Sequence, residues 1–425
     1  MSPDTLTVWR DQYRVGTLWR GTDSRLMGFE YDEAWQANGV AISNSLPLSQ
    51  RTWQPDTLTA HHWFGNLLPE EQARTALIQQ LGILDDDFAL LTAIGGDCAG
   101  ALTILPPGVA PEPAASSNAD YQPLPTQKLQ QWAAFRQRYA LYSDDAHHVK
   151  PRLSLAGAQD KLPVFWQQET LYLPLGTAPS SHIVKFAVDG REQVILNELY
   201  LNTLAAVIGL DCPATYIRFA GRSPYLLVER YDRQQKDGVL QRLHQEDMCQ
   251  AMGISRTRKY QQMGGPTLGD CVQTLRDTCK PPARSIQQLL RWQIFNVIVG
   301  NSDGHAKNIS LLQNGQGKWR IAPAYDLVGT VVLGYDPNLA FSVGEQYNAQ
   351  QLLPRDWQAM ASMCKLSYPF IKREIKQMCN AMSEHAESAD LQLALEQAGL
   401  PINRWASLQQ QRQHIVKQCR KAQRW

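Results

Sequence analysis

Residues 301–308 carry polar side chains at almost every position, although the segments on both sides are apolar. They read Asn-Ser-Asp-Gly-His-Ala-Lys-Asn. Residues 292–300 before them have the apolar spacing of a buried helix, and residues 309–312 after them have the composition of a short strand. Because both neighbours are expected to be buried, the polar residues between them are held in place and are not simply solvated. The segment therefore requires a fold that positions a polar site where a helix passes into a strand.

The acidic and amide side chains of this segment have the spacing of a phosphotransferase site. Asn308 follows Asp303 by five residues, and a further acid, Asp326, follows later in the chain. This spacing is typical of protein kinases, in which the first Asp takes the acceptor's proton while the Asn and the later Asp hold Mg²⁺. Lys307 is a candidate for neutralising charge on the γ-phosphate, whereas His305 is expected to make structural hydrogen bonds. An Asp-Gly pair alone indicates only a turn, so the interpretation depends on further motifs.

The charge balance and the cysteines exclude several other classes of protein. The chain has 425 residues, enough for two or three domains, and its 41 Lys and Arg against 40 Asp and Glu leave a net charge of +1. No overall field attracts it to nucleic acid or to an anionic membrane. Its eight cysteines are scattered without a C-x-x-C pair, which is typical of free thiols in a reducing compartment. With neither a signal peptide nor a long apolar run, we expect a cytoplasmic protein without a membrane partner.

Two groups of strands are predicted, and a linker separates them. The first group is a hairpin at residues 6–9 and 14–18, followed by a helix over 70–81. After residue 105, a stretch rich in Pro, Ala and Ser has the composition of a linker. The second group has the element order of a kinase small lobe. Its predicted elements are strands at 164–166, 171–173 and 182–186, a helix over 193–208, and strands at 215–219 and 225–229.

Beyond residue 245 the predicted elements are mainly helices. This change of pattern, together with the linker, divides the chain into four parts. They are an N-terminal subdomain at 1–105, a linker with a connecting helix at 106–150, a kinase small lobe at 151–244, and a helical C-terminal lobe with the catalytic and metal loops at 245–425.

Three further motifs are candidates for binding a nucleotide. Residues 154–161 form a small-residue loop whose backbone N–H groups are suited to approach phosphate oxygens. Lys185 ends a β-branched strand and is expected to bind the α- and β-phosphates of ATP, with Glu198 in the next helix as its partner. The strand at 225–229 runs into charged residues, as the adenine-binding hinge of a kinase does. Each motif alone also fits an ordinary turn or strand end, and only their order favours a kinase. The candidate cofactor-binding residues are Ala156, Gly157, Ala158, Gln159, Lys161, Lys185, Glu229 and Tyr231.

The ordered motifs resemble those of the HipA family of bacterial serine/threonine-protein kinase toxins. Upstream segments at 45–48, 64–69 and 100–103 look like the N-terminal subdomain of that family. The resemblance implies an α+β, two-lobed kinase-like fold akin to the phosphoinositide kinases, with a small α+β N-terminal subdomain and an all-helical C-terminal lobe. The motifs that carry it lie at 154–161 (Ser-Leu-Ala-Gly-Ala-Gln-Asp-Lys), 182–185 (His-Ile-Val-Lys), 228–232 (Val-Glu-Arg-Tyr-Asp), 246–250 (Glu-Asp-Met-Cys-Gln), 303–308 (Asp-Gly-His-Ala-Lys-Asn) and 325–326 (Tyr-Asp).

The resemblance also implies a biological role. It implies a toxin of a type II toxin–antitoxin pair that uses ATP and Mg²⁺, is neutralised by a HipB-like helix-turn-helix antitoxin, and reaches operator DNA mainly through that antitoxin. The implied substrate is a serine of a translation protein, with glutamyl-tRNA synthetase as the best-known target of the family, and the implied outcome is growth arrest and persistence. Ser154 matches the serine that the family autophosphorylates. Two other functions stay open: a kinase-fold co-repressor that acts mainly as a binding module, and a kinase of a small molecule.

Overall fold

The structure is a computed structural model that describes residues 4–22, 24–111, 121–135, 161–187, 191–314 and 316–425. The described residues form a mixed α and β protein with five sheets. Most of the small-residue loop that was predicted to bind phosphates lies outside the described residues. Lys161 is described, whereas the predicted loop residues Ser154, Ala156, Gly157, Ala158 and Gln159 are not.

The N-terminal unit is an antiparallel sheet with helices packed against it. Its elements are β1 (Thr5–Arg10), β2 (Tyr13–Arg20), β3 (Met27–Tyr31), α1 (Glu33–Asn38), β4 (Thr52–Trp53), α2 (Thr59–Gly65), α3 (Glu71–Leu81), α4 (Asp87–Ile94) and β5 (Leu102–Leu105). The strand order is β4-β3-β2-β1-β5. The predicted hairpin is confirmed, because Leu6 and Val8 of β1 are buried on one face and Leu18 lies opposite Leu6 in β2. The predicted helix is confirmed as α3, which ends at Gly82 with a φ of 62°, a conformation that favours glycine.

The next unit is a six-stranded sheet with a long helix. Its elements are β6 (Tyr121–Pro123), α5 (Thr126–Phe135), β7 (Lys161–Gln167), β8 (Thr170–Pro174), β9 (His182–Phe186), α6 (Glu192–Val207), β10 (Thr215–Ala220), β11 (Ser223–Glu229), β12 (Arg233–Lys236) and β13 (Val239–Arg242). The sheet order is β10-β11-β9-β7-β8-β6, with β12 and β13 as a separate hairpin. The predicted strands and the helix α6 are confirmed. The edge strand β6 comes from the segment that was predicted as a linker, so part of that segment belongs to the sheet.

The C-terminal unit is mostly helical but contains two further sheets. Its elements are β14 (Gln245–Asp247), α7 (Met248–Ala251), α8 (Leu268–Thr278), α9 (Pro282–Val299), β15 (Ser310–Gln313), β16 (Trp319–Ile321), β17 (Asn338–Val343), β18 (Gln346–Asn348), α10 (Pro354–Met363), α11 (Tyr368–His385), α12 (Ala389–Gln397) and α13 (Gln409–Ala422). The prediction of an all-helical C-terminal lobe is therefore wrong. Strands β14, β15 and β16 form one antiparallel sheet, and β17 pairs with β18. Since β14 and β16 have three residues each, they are too short to show an alternating pattern.

Helix α9 and strand β15 hold the polar segment 301–308 from both sides, as predicted. Every residue of α9 from Trp292 to Val299 is buried. The helix begins with Pro282 in its first turn and ends at Gly300, whose φ of 74° favours glycine. Ser310 to Gln313 in β15 are all buried and pair with strands on both sides. The polar residues between these elements are thus anchored at both ends.

The sequence also led us to expect no membrane-spanning helix and free cysteines. None of their helices combines the length and the apolar character that crossing a membrane requires. All eight cysteines lie in the described part of the chain, and none of them forms a disulfide.

Candidate active site

Lys185 of β9 lies at the centre of a buried ionic cluster that it forms with Glu198 of α6 and with Asp326. It stands in β9 with only 5% of its surface exposed. Its Nζ donates to Glu198 Oε1 of α6 at 2.5 Å and to Asp326 Oδ1 at 2.6 Å. Burial alone would lower the pKa of Lys185, but Asp326 and Glu198 raise it above its ordinary value. The predicted partner Glu198 therefore does contact Lys185, and the ammonium stays charged.

Asp326 joins Lys185 to the polar segment. Asn308 donates its Nδ2 to Asp326 Oδ2 at 3.2 Å, and Lys161 Nζ lies 3.8 Å from the same oxygen. Lys161 and Lys185 are opposite each other in the register of β7 and β9, so both lysines approach the carboxylate from one sheet. Burial acts to raise the pKa of Asp326, but the two lysines lower it below its ordinary value. Asp326 is therefore an anionic group shared by the sheet and the polar segment.

Asp303 is the second carboxylate of the site, and it is exposed. Its backbone N–H donates to Asn301 Oδ1 at 3.0 Å, which fixes the turn at this point. Its Oδ1 accepts a short hydrogen bond from the hydroxyl of Tyr260. Desolvation raises the pKa of Asp303, the Tyr260 hydroxyl lowers it, and the charge of Asp326 raises it again. Sequence reasoning missed Tyr260, because nothing in the exposed loop around it signals a contact 43 residues away.

Lys307 does not point at the site in the way that was predicted. Its Nζ donates to Asn66 O at 3.0 Å, to Asn66 Oδ1 at 2.8 Å and to Asp247 Oδ2 at 2.7 Å, and the residue is buried. In addition, Glu70 Oε1 lies 3.7 Å from the Lys307 ammonium. An ammonium group has three protons, and these contacts use all of them. We therefore correct the prediction for Lys307: it links the polar segment to the N-terminal unit and has no proton left for a phosphate.

His305 has a structural position, as expected for it. Its backbone N–H donates to Asn308 Oδ1 at 3.1 Å, which orients the Asn308 side chain. Burial lowers the pKa of His305 well below its ordinary value, and the charges of Lys259 and Lys307 act in the same direction. The imidazole is therefore neutral.

The predicted hinge after β11 is tied to the N-terminal unit by a buried ionic cluster. Arg230 donates to both oxygens of Asp232 at 3.0 and 2.8 Å, and also to Asp97 at 3.2 Å. Asp97 accepts a further bond of 2.7 Å from Arg233. Burial would raise the pKa of Asp97, but the surrounding guanidinium groups lower it. This cluster explains the charged residues that follow the strand, and Asp97 is a second residue that sequence reasoning missed.

The two predicted adenine-binding residues flank this cluster. Glu229 ends β11 and is exposed, whereas Tyr231 is partly buried. The Tyr231 ring stacks on Tyr325 with the ring centroids 5.4 Å apart, and its hydroxyl donates to Gln245. Its backbone N–H has no hydrogen-bond partner within the described part of the chain. The structure thus brings together Lys161, Lys185, Glu198, Asn308 and Asp326, with Asp303 in the same polar segment.

Comparisons with known proteins place the chain among relatives with shared domains. Residues 153–389 match the HipA-like C-terminal domain, and residues 6–105 match the HipA N-terminal domain. The putative kinase Y4mE of Sinorhizobium fredii is 38% identical over 396 residues, which cover 90% of this chain and 91% of that protein. The serine/threonine-protein kinase toxin HipA of Shewanella oneidensis is 30% identical over 383 residues, which cover 86% and 84% of the two chains.

A solved structure shows the same fold. The HipA of Shewanella oneidensis MR-1, in a complex with HipB and operator DNA, superposes with a TM-score of 0.81 at 25% sequence identity, and the match covers 98% of this chain and 97% of that one. The family models and the relatives identify the chain as a protein kinase. As such it uses ATP together with a divalent metal ion. More specifically, the chain belongs to the HipA family of serine/threonine-protein kinase toxins.

Proposed function

We propose that this kinase transfers the γ-phosphate of ATP·Mg²⁺ to a serine of a translation protein, and thereby arrests growth. The observation that carries the proposal is the cluster in which Lys185 and Asn308 both contact Asp326, with Asp303 five residues before Asn308. A lysine, an amide and two carboxylates are the groups that phosphoryl transfer requires. An aminoacyl-tRNA synthetase, such as glutamyl-tRNA synthetase, is the proposed acceptor, because the sequence motifs resemble those of a family with such a target.

The nucleotide contacts in this proposal come from the sheet that contains β7, β9 and β11. Lys185 and Lys161 hold the phosphates, since both ammonium groups lie beside Asp326. Adenine lies against the end of β11, beside Glu229 and the backbone N–H of Tyr231, which has no hydrogen-bond partner among the described residues. The loop residues Ala156, Gly157, Ala158 and Gln159 supply backbone N–H groups to the phosphates in this account, although they lie outside the described residues.

Asn308 and Asp326 are the proposed holders of Mg²⁺. Mg²⁺ is commonly bound by one or two protein side chains, with water and substrate phosphates completing the shell, and a carboxylate with one amide fits that donor set. Asn308 donates its amide nitrogen to Asp326 while its amide oxygen accepts the His305 N–H, so binding Mg²⁺ through that oxygen requires the His305 bond to be shared or released. When bound, the metal ion neutralises phosphate charge.

Asp303 is the proposed general base. It is the exposed carboxylate of the polar segment, and desolvation raises its pKa above the ordinary value, which favours its acting as a proton acceptor. In the reaction, the acceptor serine's hydroxyl proton moves to a carboxylate oxygen of Asp303 as the serine oxygen bonds to the γ-phosphorus. ADP leaves with the electron pair of the bond that breaks.

The proposed partners are a HipB-like helix-turn-helix antitoxin and, mainly through it, operator DNA. The support is the fold match to a HipA that was solved with HipB and its operator. A net charge of +1 also supports DNA contact through a partner, because the chain itself has no overall positive field. The proposed place of action is the cytoplasm. Co-repression is the second candidate function, and it is compatible with kinase activity.

The substrate proposal is tested by labelling. The purified chain is incubated with γ-³²P-labelled ATP, Mg²⁺ and glutamyl-tRNA synthetase of the same bacterium, with heat-denatured synthetase as the control. We expect label on one serine of the native synthetase. Label on other proteins of a lysate but none on the synthetase would replace this substrate with another protein. Label only on small molecules would favour the small-molecule kinase.

Phosphorylation of Ser154 is expected to switch the enzyme off. A phosphoserine adds about −1.5 to −2 charge directly before the loop proposed to receive the phosphates of ATP, so ATP affinity should fall by about tenfold. Intact mass and peptide mapping establish whether Ser154 carries phosphate, and calorimetry compares the phosphorylated with the phosphatase-treated chain. The Ser154→Ala variant serves as the control that cannot be modified there. Complete phosphorylation with unchanged ATP affinity and transfer rate would contradict the switch.

A further inference from the structure

Tyr260 contacts the proposed catalytic base but has no assigned role. Its hydroxyl donates to Asp303 Oδ1 in a short hydrogen bond. Burial and the negative charge of Asp303 raise the pKa of Tyr260, so the hydroxyl keeps its proton and is the donor. We propose that Tyr260 is a positioning residue that holds the Asp303 carboxylate in the orientation needed to accept the acceptor's proton. This inference rests on the proposed role of Asp303 as the base.

The backbone around Tyr260 is closed into a compact turn. Gly265 donates its N–H to Tyr260 O at 3.0 Å. A Cβ atom at Gly265 would lie 2.1 Å from Arg258 O and 2.6 Å from Tyr260 O, which are distances that real Cβ atoms do not show. Only glycine therefore permits this turn. The point from which the Tyr260 side chain extends is fixed by the local backbone.

The side chain of Tyr260 is held by both the polar segment and the N-terminal unit. Its ring meets the edge of the His305 ring with centroids 4.9 Å apart and an interplanar angle of 88°. The Lys259 ammonium lies 5.6 Å from the centre of the Tyr260 ring and 2.8 Å from Glu70 Oε2. The Lys259 carbonyl accepts a bond of 3.2 Å from the backbone N–H of Ala306. Glu70 of the N-terminal unit thus contributes to the position of Tyr260 through Lys259.

The contact leaves the other oxygen of Asp303 available. Tyr260 bonds to Oδ1, and Oδ2 has no hydrogen-bond partner among the residues that the structure describes. Asp303 also remains exposed, so an acceptor hydroxyl has access to Oδ2. The last torsion of an Asp side chain is broad, and without Tyr260 the carboxylate would sample many orientations. If the Tyr260 hydroxyl only blocked Asp303, it would be expected to cover Oδ2, the oxygen that remains for the acceptor, and it contacts Oδ1 instead.

The test is Tyr260→Phe, which removes one oxygen atom and keeps the ring. The probe is single-turnover transfer from labelled ATP to glutamyl-tRNA synthetase or to the chain itself, whichever the parent labels. We expect the transfer rate to fall by about tenfold, because a small misplacement of a catalytic group is costly. ATP affinity and melting temperature should match those of the parent. Tyr13→Phe is the matched control, since Tyr13 is 69% exposed.

The pH dependence separates positioning from a purely structural role. The Tyr260 bond lowers the pKa of Asp303, while Asp326 and Glu71 raise it and Lys259 lowers it. In Tyr260→Phe the pKa of Asp303 should therefore rise. Since the base must be deprotonated, the acidic limb of the rate profile should move to higher pH.

Either of two kinetic results would overturn the inference. An unchanged transfer rate and pH profile would mean that Tyr260 is structural, and a faster rate would mean that it blocks the base. If the parent labels neither the synthetase nor itself, the proposed substrate fails, and crystal structures of the parent and Tyr260→Phe then decide the inference alone. A changed orientation of the Asp303 carboxylate in the variant supports it, and an unchanged orientation contradicts it.

Discussion

Asp303→Asn is expected to lower the rate of phosphoryl transfer by roughly two orders of magnitude or more. An amide does not accept the proton that the serine hydroxyl must lose, although it has almost the same volume as the carboxylate. The amide oxygen still accepts the bond from Tyr260, so the local structure should persist. ATP affinity measured by calorimetry should be nearly unchanged, because Asp303 is not among the proposed nucleotide-binding groups. Growth arrest on expression should be lost together with transfer.

The matched control for this variant is Asp277→Asn, which makes the same chemical change at an exposed position of α8. It should retain the transfer rate of the parent. Parent-like transfer and growth arrest in Asp303→Asn would show that Asp303 is not the base. Lost transfer with intact growth arrest would favour toxicity through binding, as in the co-repressor alternative.

Asp326→Ala is expected to lower the transfer rate by about two orders of magnitude and Mg²⁺-dependent ATP affinity by at least about tenfold. The substitution removes one of two proposed metal-holding side chains and leaves Asn308, a neutral amide, to bind the cation alone. Lys185 keeps Glu198 as a partner at 2.5 Å, so its charge should persist. ATP affinity measured in a chelator should therefore change little. The comparison of the two affinities is the diagnostic measurement.

Asp211→Ala is a suitable control, because Asp211 is a half-exposed acid whose nearest cationic partner lies 3.9 Å away. Its ATP affinity should equal that of the parent with and without Mg²⁺. For Asp326→Ala, equal losses of affinity in Mg²⁺ and in chelator would mean that this acid supports the fold and does not hold the metal. A circular dichroism melt distinguishes that outcome from global unfolding.

Elements with a strong local pattern were predictable from the sequence. Helix α3 shows helical spacing and a terminal glycine, and β9 is a β-branched run, so both were placed to within a residue or two. The helix α6 was predicted for the same reason. Strands β14 and β16 were not, because three buried residues carry no periodicity. These strands form only because they pair with β15, and a local sequence window does not show that pairing.

In the candidate site, too, residues with a local sequence pattern were predictable, whereas residues defined by long-range contacts were not. The spacing of Asp303 and Asn308 indicated phosphoryl transfer. The position of Lys185 in a strand indicated that its side chain faces the candidate site. Lys307 was misassigned because a residue in a short 3₁₀ turn has no periodic neighbours to show which way it points. Its partners Asn66 and Asp247 lie 241 and 60 residues away. Tyr260 and Asp97 were missed for the same reason, since each acts through a long-range contact.

The central claim is that this chain phosphorylates a protein serine with Asp303 as the base. Its most direct test is quantitative phosphoproteomics of cells that express either the parent chain or Asp303→Asn at equal levels. We expect phosphoserine on a translation protein in the first culture and its absence in the second, with growth arrest only in the first. Identical phosphoproteomes, with both purified proteins folded and binding ATP, would contradict the account.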